Sequence, residues 1–315
     1  MAYTDIAERR QLRRKLSFWR VLAFVLVAAA IVGVGSFFFG STEGSKTQPH
    51  IARVTISGLI VDDAELVERL DEIAGSDAVK GVIVSINSPG GTTYGGETTY
   101  KAIRRLAAKK PVVSDVRTLA ASAGYMIAIA GDQIIAGETS ITGSIGVIFQ
   151  YPQLQGLLDK LGVSLEEIKS APLKAEPSPF HAPPEGAKVA MQAMVDDTFA
   201  WFVDLVAERR KMPRAEALRL ADGRVFSGRQ AAREKLVDKL GGLKEIRDYF
   251  ATRNIAADLP VVDWKPRSQG SNFLLGSLAR SLGLGWLADA VALKNMSEDK
   301  LLLDGLVSVW HFGSK

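Results

Sequence analysis

Four short stretches of this 315-residue sequence hold residue types that could do hydrolytic chemistry. Asn87-Ser-Pro-Gly-Gly91 follows an apolar run, and paired glycines there let the backbone bend sharply and bring an N–H group close to a ligand. Leu119-Ala-Ala-Ser122-Ala-Gly-Tyr125 sets a serine among small residues at an expected helix start, where free N–H groups stabilise developing negative charge. Thr142-Gly-Ser-Ile-Gly-Val147 is a third small-residue turn, leading into a strand. Lys174 lies downstream in a proline-rich loop, Ile168-Lys-Ser-Ala-Pro-Leu-Lys174-Ala-Glu-Pro-Ser-Pro-Phe180. A serine hydroxyl becomes a nucleophile once a neighbouring base takes its proton, and a neutral lysine is such a base. Read singly, each stretch has an ordinary explanation too: a strand-to-helix turn, an N-cap serine, a solvated loop lysine.

Other chemistries have less material. There are no cysteines, which removes disulfides, thiol nucleophiles and thiolate metal sites. His50, His181 and His311 are scattered and none lies in an HExxH-type pattern, so no metal centre is expected. The scarcity of histidine also leaves a hydrolase little choice of histidine base. Net charge is only +4, and much of the basic excess sits in Arg9, Arg10, Arg13, Arg14, Lys15 and Arg20, so nucleic acid is not an expected partner.

Strands and helices alternate around these turns. An extended start at 52–61 leads to an amphipathic helix near 63–74, strand 81–87, helix 95–108 and strand 111–116. A helix over 122–130 and a short strand at 132–136 follow, an order that predicts parallel pairing with helical crossovers. A long helix is expected near 187–209, and Ser227-Gly-Arg-Gln230 reads as a capping box opening another.

The ends of the chain have a different character. Residues 21–39 form an uncharged apolar run, long enough at about 1.5 Å per residue to match the roughly 30 Å hydrocarbon layer of a bilayer. The Arg/Lys cluster before it predicts a cytoplasmic N-terminus and an exported remainder, and the run exceeds a cleavable signal's apolar core. Residues 272–293 are rich in leucine but interrupted by Arg280 and Asp289. Burying Arg280 in lipid would cost about 2.5–3.5 kcal/mol, which leaves a surface-lying amphipathic segment or an ordinary terminal helix as readings.

Taken together, NSPGG, AASAGY, TGSIGV, KSAPLKAEPSPF and LADGRVFSGRQA resemble, in order and spacing, the short bacterial form of the signal peptide peptidase A family from about residue 50 to 250. The resemblance implies an α/β fold of the Clp protease/crotonase type, with stacked β-β-α turns rather than a doubly wound sheet. It implies Ser122 as nucleophile, Lys174 as general base and Ser144 as the hydroxyl orienting that lysine. Gly91 and Ala123 would supply the oxyanion-hole N–H groups, with Gly90 as a backbone hinge and no cofactor. The departures, Met126 after Tyr125 and Ala171 in the lysine loop, touch only local packing.

The domain plan expected is a cytoplasmic tail (1–20), a transmembrane anchor meeting lipid (21–39), a tether (40–50), a peptidase domain (51–255) and a C-terminal extension (256–315). The resemblance further implies cleaved signal peptides as substrates, a ring-like homo-oligomer with eight subunits as its expected form, and a catalytic domain outside the bacterial cytoplasmic membrane. Two alternatives stay open at this level: a related membrane-bound serine protease acting on misfolded or membrane proteins, and a crotonase-like acyl-CoA enzyme, which uses a Gly-Gly oxyanion hole without the Ser122–Lys174 pair.

Overall fold

The structure is a computed structural model that describes residues 18–30, 46–266 and 307–309. Residues 18–30 are helical, and no helix within the described residues is long and apolar enough to cross a membrane. The expected anchor at 21–39 and the leucine-rich segment at 272–293 lie partly or wholly outside the described residues.

The body begins as three parallel strand–helix turns. Strand β1 (His50–Ile60) leads through helix α1 (Ala64–Gly75) to β2 (Val79–Thr92), then α2 (Thr93–Ala107), β3 (Val112–Ala121) and the short α3 (Ala123–Ala128). Capping sets two of the helix starts: Asp63 accepts from Leu66 N at 2.9 Å and Thr92 Oγ1 from Gly95 N at 3.0 Å. Leu66, Leu70 and Ile73 recur at helical spacing on α1 and are buried. Strand β2 is buried along almost its whole length, as a central parallel strand must be.

Strand β3 forks the sheet. Its first half, Val113–Val116, pairs in parallel with β4 (Gln133–Ala136), and its second half, Leu119–Ala121, with β5 (Ile141–Gly143). Register shifts in β1 after Ser57 and in β2 after Ile86 accompany this change of direction. Strand β5 is then met antiparallel by β6 (Val225–Ser227). A forked, bent sheet with helical crossovers is the stacked β-β-α arrangement, as expected, and not a doubly wound sheet.

Between β5 and β6 the chain leaves the body as an arm: α4 (Gln155–Leu161), a loop over 162–184, α5 (Glu185–Arg210) and α6 (Arg214–Leu220). No residue of α4 is buried, and on α5 only Ala187 is buried before Phe202. The capping box at Ser227 and Gln230 is formed and opens α7 (Gly228–Arg233). Strand β7 (Lys239–Leu240) pairs with β4, α8 (Leu243–Thr252) packs beneath the sheet, and β8 (Val261–Asp263) pairs with β1. Strand β9 (Val307–Val309) adds antiparallel to the end of β2.

The core lies on both faces of the sheet. Val54, Val84, Ile86, Leu70, Ile103 and Phe202 belong to the larger cluster under α1–α3 and the end of α5. Ile51, Ile83, Val113 and Ile135 on the opposite face pack against Ile246 and Phe250 of α8. At the top of β3 the chain turns through Ser122, whose φ of 59° and ψ of −121° are costly for any residue with a Cβ.

Two stability outcomes follow. Phe250→Ala empties the centre of the smaller cluster and is expected to lower unfolding free energy by about 3–5 kcal/mol in a denaturant titration; a loss below about 1 kcal/mol would show that α8 does not seal that face. Ser122→Gly relieves the backbone at the turn and is expected to be about 1 kcal/mol more stable than the parent. An unchanged or lower midpoint would contradict that strain.

Candidate active site

Ser122 closes β3 and precedes α3. It takes the helix N-cap position, yet its side chain makes no capping hydrogen bond. The hydroxyl therefore does not cap the helix. Ser122 is 1% exposed, and its N–H donates to Gly143 O at 2.8 Å, tying the serine turn to the end of β5.

The small residues around it serve close approach. A Cβ on Gly124 would stand 2.8 Å from Ser88 O, so α3 can sit on the Asn87–Gly91 turn only because position 124 is glycine. A Cβ on Gly91 would stand 1.8 Å from Ile60 O, which makes glycine obligatory beside β1. Ser88 Oγ donates to Gly58 O at 2.6 Å and accepts from Gly90 N at 3.1 Å, fixing the turn in which Gly90 has φ 113°. Gly91 and Ala123 are both buried, on the two elements that meet at this packing. Ala123 opens α3, in the helical turn whose N–H groups lack intrahelical acceptors.

The far end of α3 is held as firmly. Arg209 donates from Nε to Ile129 O and from Nη2 to Gly131 O, both at 2.8 Å, and Arg104 Nη1 donates to Ala130 O at 2.7 Å. Two guanidinium groups thus satisfy the carbonyls leaving the helix, where cations are favoured. Tyr125 is fully buried and donates to Leu236 O at 2.8 Å, and burial pushes its phenol well above the usual range. Sequence reasoning missed both arginines, because nothing in their local pattern says which carbonyls they will face.

Ser144 stands beside Ser122. It is 8% exposed, has φ 49°, and donates its N–H to Arg224 O at 2.8 Å. Both serines line one cavity of about 510 Å³ whose apolar wall includes Ile145, Val147, Phe199 and Val307. Strand β9 enters the same cavity: Val307 exchanges N–H···O bonds with Ile148 at 2.9 and 3.1 Å while residues 307–309 pair antiparallel with Gly90–Thr92. An extended segment of this chain therefore lies between two backbone edges next to Ser122. The sequence carried no signal for this pairing.

Lys174 lies on the arm. It is exposed on the 162–184 loop and outside the cavity wall, whereas a lysine base needs to lose water. The physical reason is the arm: its root is packed, but α4 and the first half of α5 stand clear of the body. The loop's other lysine, Lys169, is ion-paired with Glu167 and Glu176, both at 2.5 Å. Those carboxylates hold its ammonium above the ordinary range, so Lys169 stays charged. Of the two, only Lys174 is without a carboxylate among the described residues. The contacts thus bring together Ser122, Ser144, Ala123 and the Gly90–Gly91 turn, with Lys174 on a neighbouring loop.

Comparison with known proteins identifies the family. Residues 104–254 match peptidase family S49, and residues 55–140 match the Clp protease family. The chain is 32% identical over 279 residues to a protein of Enterococcus faecium named as a candidate signal peptide peptidase SppA, covering 81% of this chain and 80% of that one. It is 34% identical over 251 residues to a protein of Synechocystis named as a candidate protease, covering 76% and 90%. With the chloroplastic serine protease SPPA of Arabidopsis thaliana it shares 33% over 183 residues, 57% of this chain and 27% of that longer one. These matches set aside the acyl-CoA reading. With a mixed α/β fold of the Clp protease type and a buried serine at a strained strand-to-helix turn, the chain belongs to peptidase family S49 and is a serine endopeptidase.

Proposed function

We propose that this protein is a membrane-anchored endopeptidase that degrades cleaved signal peptides, with Ser122 as nucleophile and Lys174 as general base. The observation that carries the reading is Ser122 itself: buried, on left-handed backbone, in one apolar cavity with Ser144, beside a glycine edge that accepts an extended strand. The substrate peptide adds along Gly90–Thr92 in the place of residues 307–309, so main-chain hydrogen bonds supply affinity and the cavity takes an apolar side chain. Leucine- and alanine-rich peptides have the chemistry for such a wall.

Hydrolysis proceeds in two halves. Ser122 Oγ attacks the scissile carbonyl carbon and its proton passes to the neutral Lys174 amine. The oxyanion is received by the N–H groups of Gly91 and Ala123, worth several kcal/mol in comparable sites, with Gly90 as the hinge that aims the strand. Collapse breaks the C–N bond, and the leaving amine takes the proton from Lys174. Water, deprotonated by the same lysine, then hydrolyses the acyl-serine. Ser144 orients the amine without favouring its charged form, as a carboxylate would.

Lys174 loses its water when substrate or a second subunit closes over the arm. Leu157, Leu161, Ile168, Val189 and Met194 are all exposed there, an apolar surface that supports a homo-oligomer. The uncharged run at 21–39, behind a basic cluster, supports a lipid anchor with the N-terminus cytoplasmic and the peptidase body outside.

Two experiments test this. Ser122→Ala and Lys174→Ala, each shown to be folded, are expected to lose at least roughly 10³-fold in kcat on a fluorogenic leucine-rich peptide. Activity retained by either variant removes that residue from its role. Deleting residues 307–315 vacates the strand position and is expected to raise kcat/KM about two- to tenfold. An unchanged value would mean that peptides bind elsewhere.

A further inference from the structure

The Lys174 loop is closed on itself. Lys169 and Glu176 lie 7 residues apart and bracket Lys174, and their ion pair of 2.5 Å turns the segment into a ring. Glu176 is the buried half of that pair, its side chain only 3% exposed against 20% for Lys169. Its carboxylate does double duty: Oε1 takes the Lys169 ammonium while Oε2 accepts from Ser178 N at 3.1 Å. Glu167 Oε2 meets the same ammonium at 2.5 Å, and His181 Nε2 stands 3.3 Å from Glu176 and 3.4 Å from Glu167.

Inside the ring the backbone makes two further turns, Lys174 N to Ala171 O at 3.1 Å and Glu176 N to Leu173 O at 3.3 Å, with Ala175 at φ 62°. The base of the loop is tied to the cavity side of the molecule. Leu154 N donates to Pro179 O at 2.7 Å, a few residues beyond Gln150, which lines the cavity with Ser122. The three side chains Glu167, Glu176 and His181 could hold a metal by spacing alone. The space between the two carboxylates is taken by the ammonium of Lys169, so the chain supplies its own cation there.

We propose that Lys169 and Glu176 form a clasp that fixes the shape of the Lys174 loop, and that both are positioning residues for hydrolysis at Ser122. This rests on Lys174 as the base. An exposed loop whose general base sampled many positions would spend little time within reach of a serine proton, and small misplacements cost orders of magnitude in rate. A closed ring with a buried carboxylate at its root presents the Lys174 stem in one place, ready to dock. The clasp acts on turnover and leaves the strand position at Gly90–Thr92 untouched.

The test compares Lys169→Met, Glu176→Gln, the double variant, Lys169→Arg and Lys174→Ala in the full chain, with thermal melts as a check on folding. Lys169→Met and Glu176→Gln are each expected to lower kcat roughly 10–100-fold with KM within about twofold. The double variant should be no worse than the poorer single one, because both remove the same bond. Lys169→Arg should recover most of the loss, since a guanidinium can hold Glu176 but cannot act as a base. Wild-type kcat in Lys169→Met, or losses that multiply in the double variant, would overturn the clasp. Lys169→Arg as inactive as Lys169→Met, beside an active Lys174→Ala, would instead make Lys169 the base and sink both readings. An inactive Lys174→Ala with unaffected clasp variants would sink only the clasp. If Lys169→Met fails to fold, Lys169→Arg and Glu176→Gln decide the matter.

Discussion

Between β3 and α3 the chain changes direction within one residue, and Ser122 bears that change on left-handed backbone. Such a conformation persists only where the surroundings over-determine it. Here β5 holds it from one side through Gly143 O, the Ser88 turn supports α3 from below through the bare face of Gly124, and Arg104 and Arg209 take up the carbonyls at the helix's other end. The fork in β3 follows from the same requirement. One strand must pair with β4 below and with β5 above so that the serine can emerge at the junction.

The molecule divides into a rigid half and an extended half. Ser122, the glycine turn and Ser144 sit on strands and helix ends whose neighbours are buried. The lysine loop sits on an arm that buries little and exposes much apolar surface. Such segments open and close at low free-energy cost. The proposed pairing of Ser122 with Lys174 would join the two halves and be complete only when the arm is covered, which would spare folded proteins from an always-formed site. Arg209 links the halves, because it lies at the packed end of α5 and holds the carbonyls at the end of α3.

Local chemistry carried much of this into the one-dimensional sequence. Alternating strands and helices are legible because apolar spacing and caps such as Asp63, Thr92 and Ser227 act over a few residues. The serine, the glycine pair and the lysine loop are legible as motifs, since small residues and sharp turns are properties of short segments. The lack of cysteine removed thiol and thiolate-metal chemistry, and the small net charge gave no reason to expect nucleic acid.

Everything that depends on distant partners had to wait for the tertiary structure. No pattern in the sequence tells whether Ser122 caps its helix or turns away from it; that is decided by β5 and the Ser88 turn, which come from elsewhere in the chain. Which of two loop lysines is ion-paired is settled by Glu167 and Glu176 folding back on Lys169. The pairing of 307–309 with Gly90–Thr92 joins segments more than two hundred residues apart, and backbone hydrogen bonding leaves no compositional trace. Local preference writes the elements and the reactive groups; long-range packing alone selects which of those groups meet.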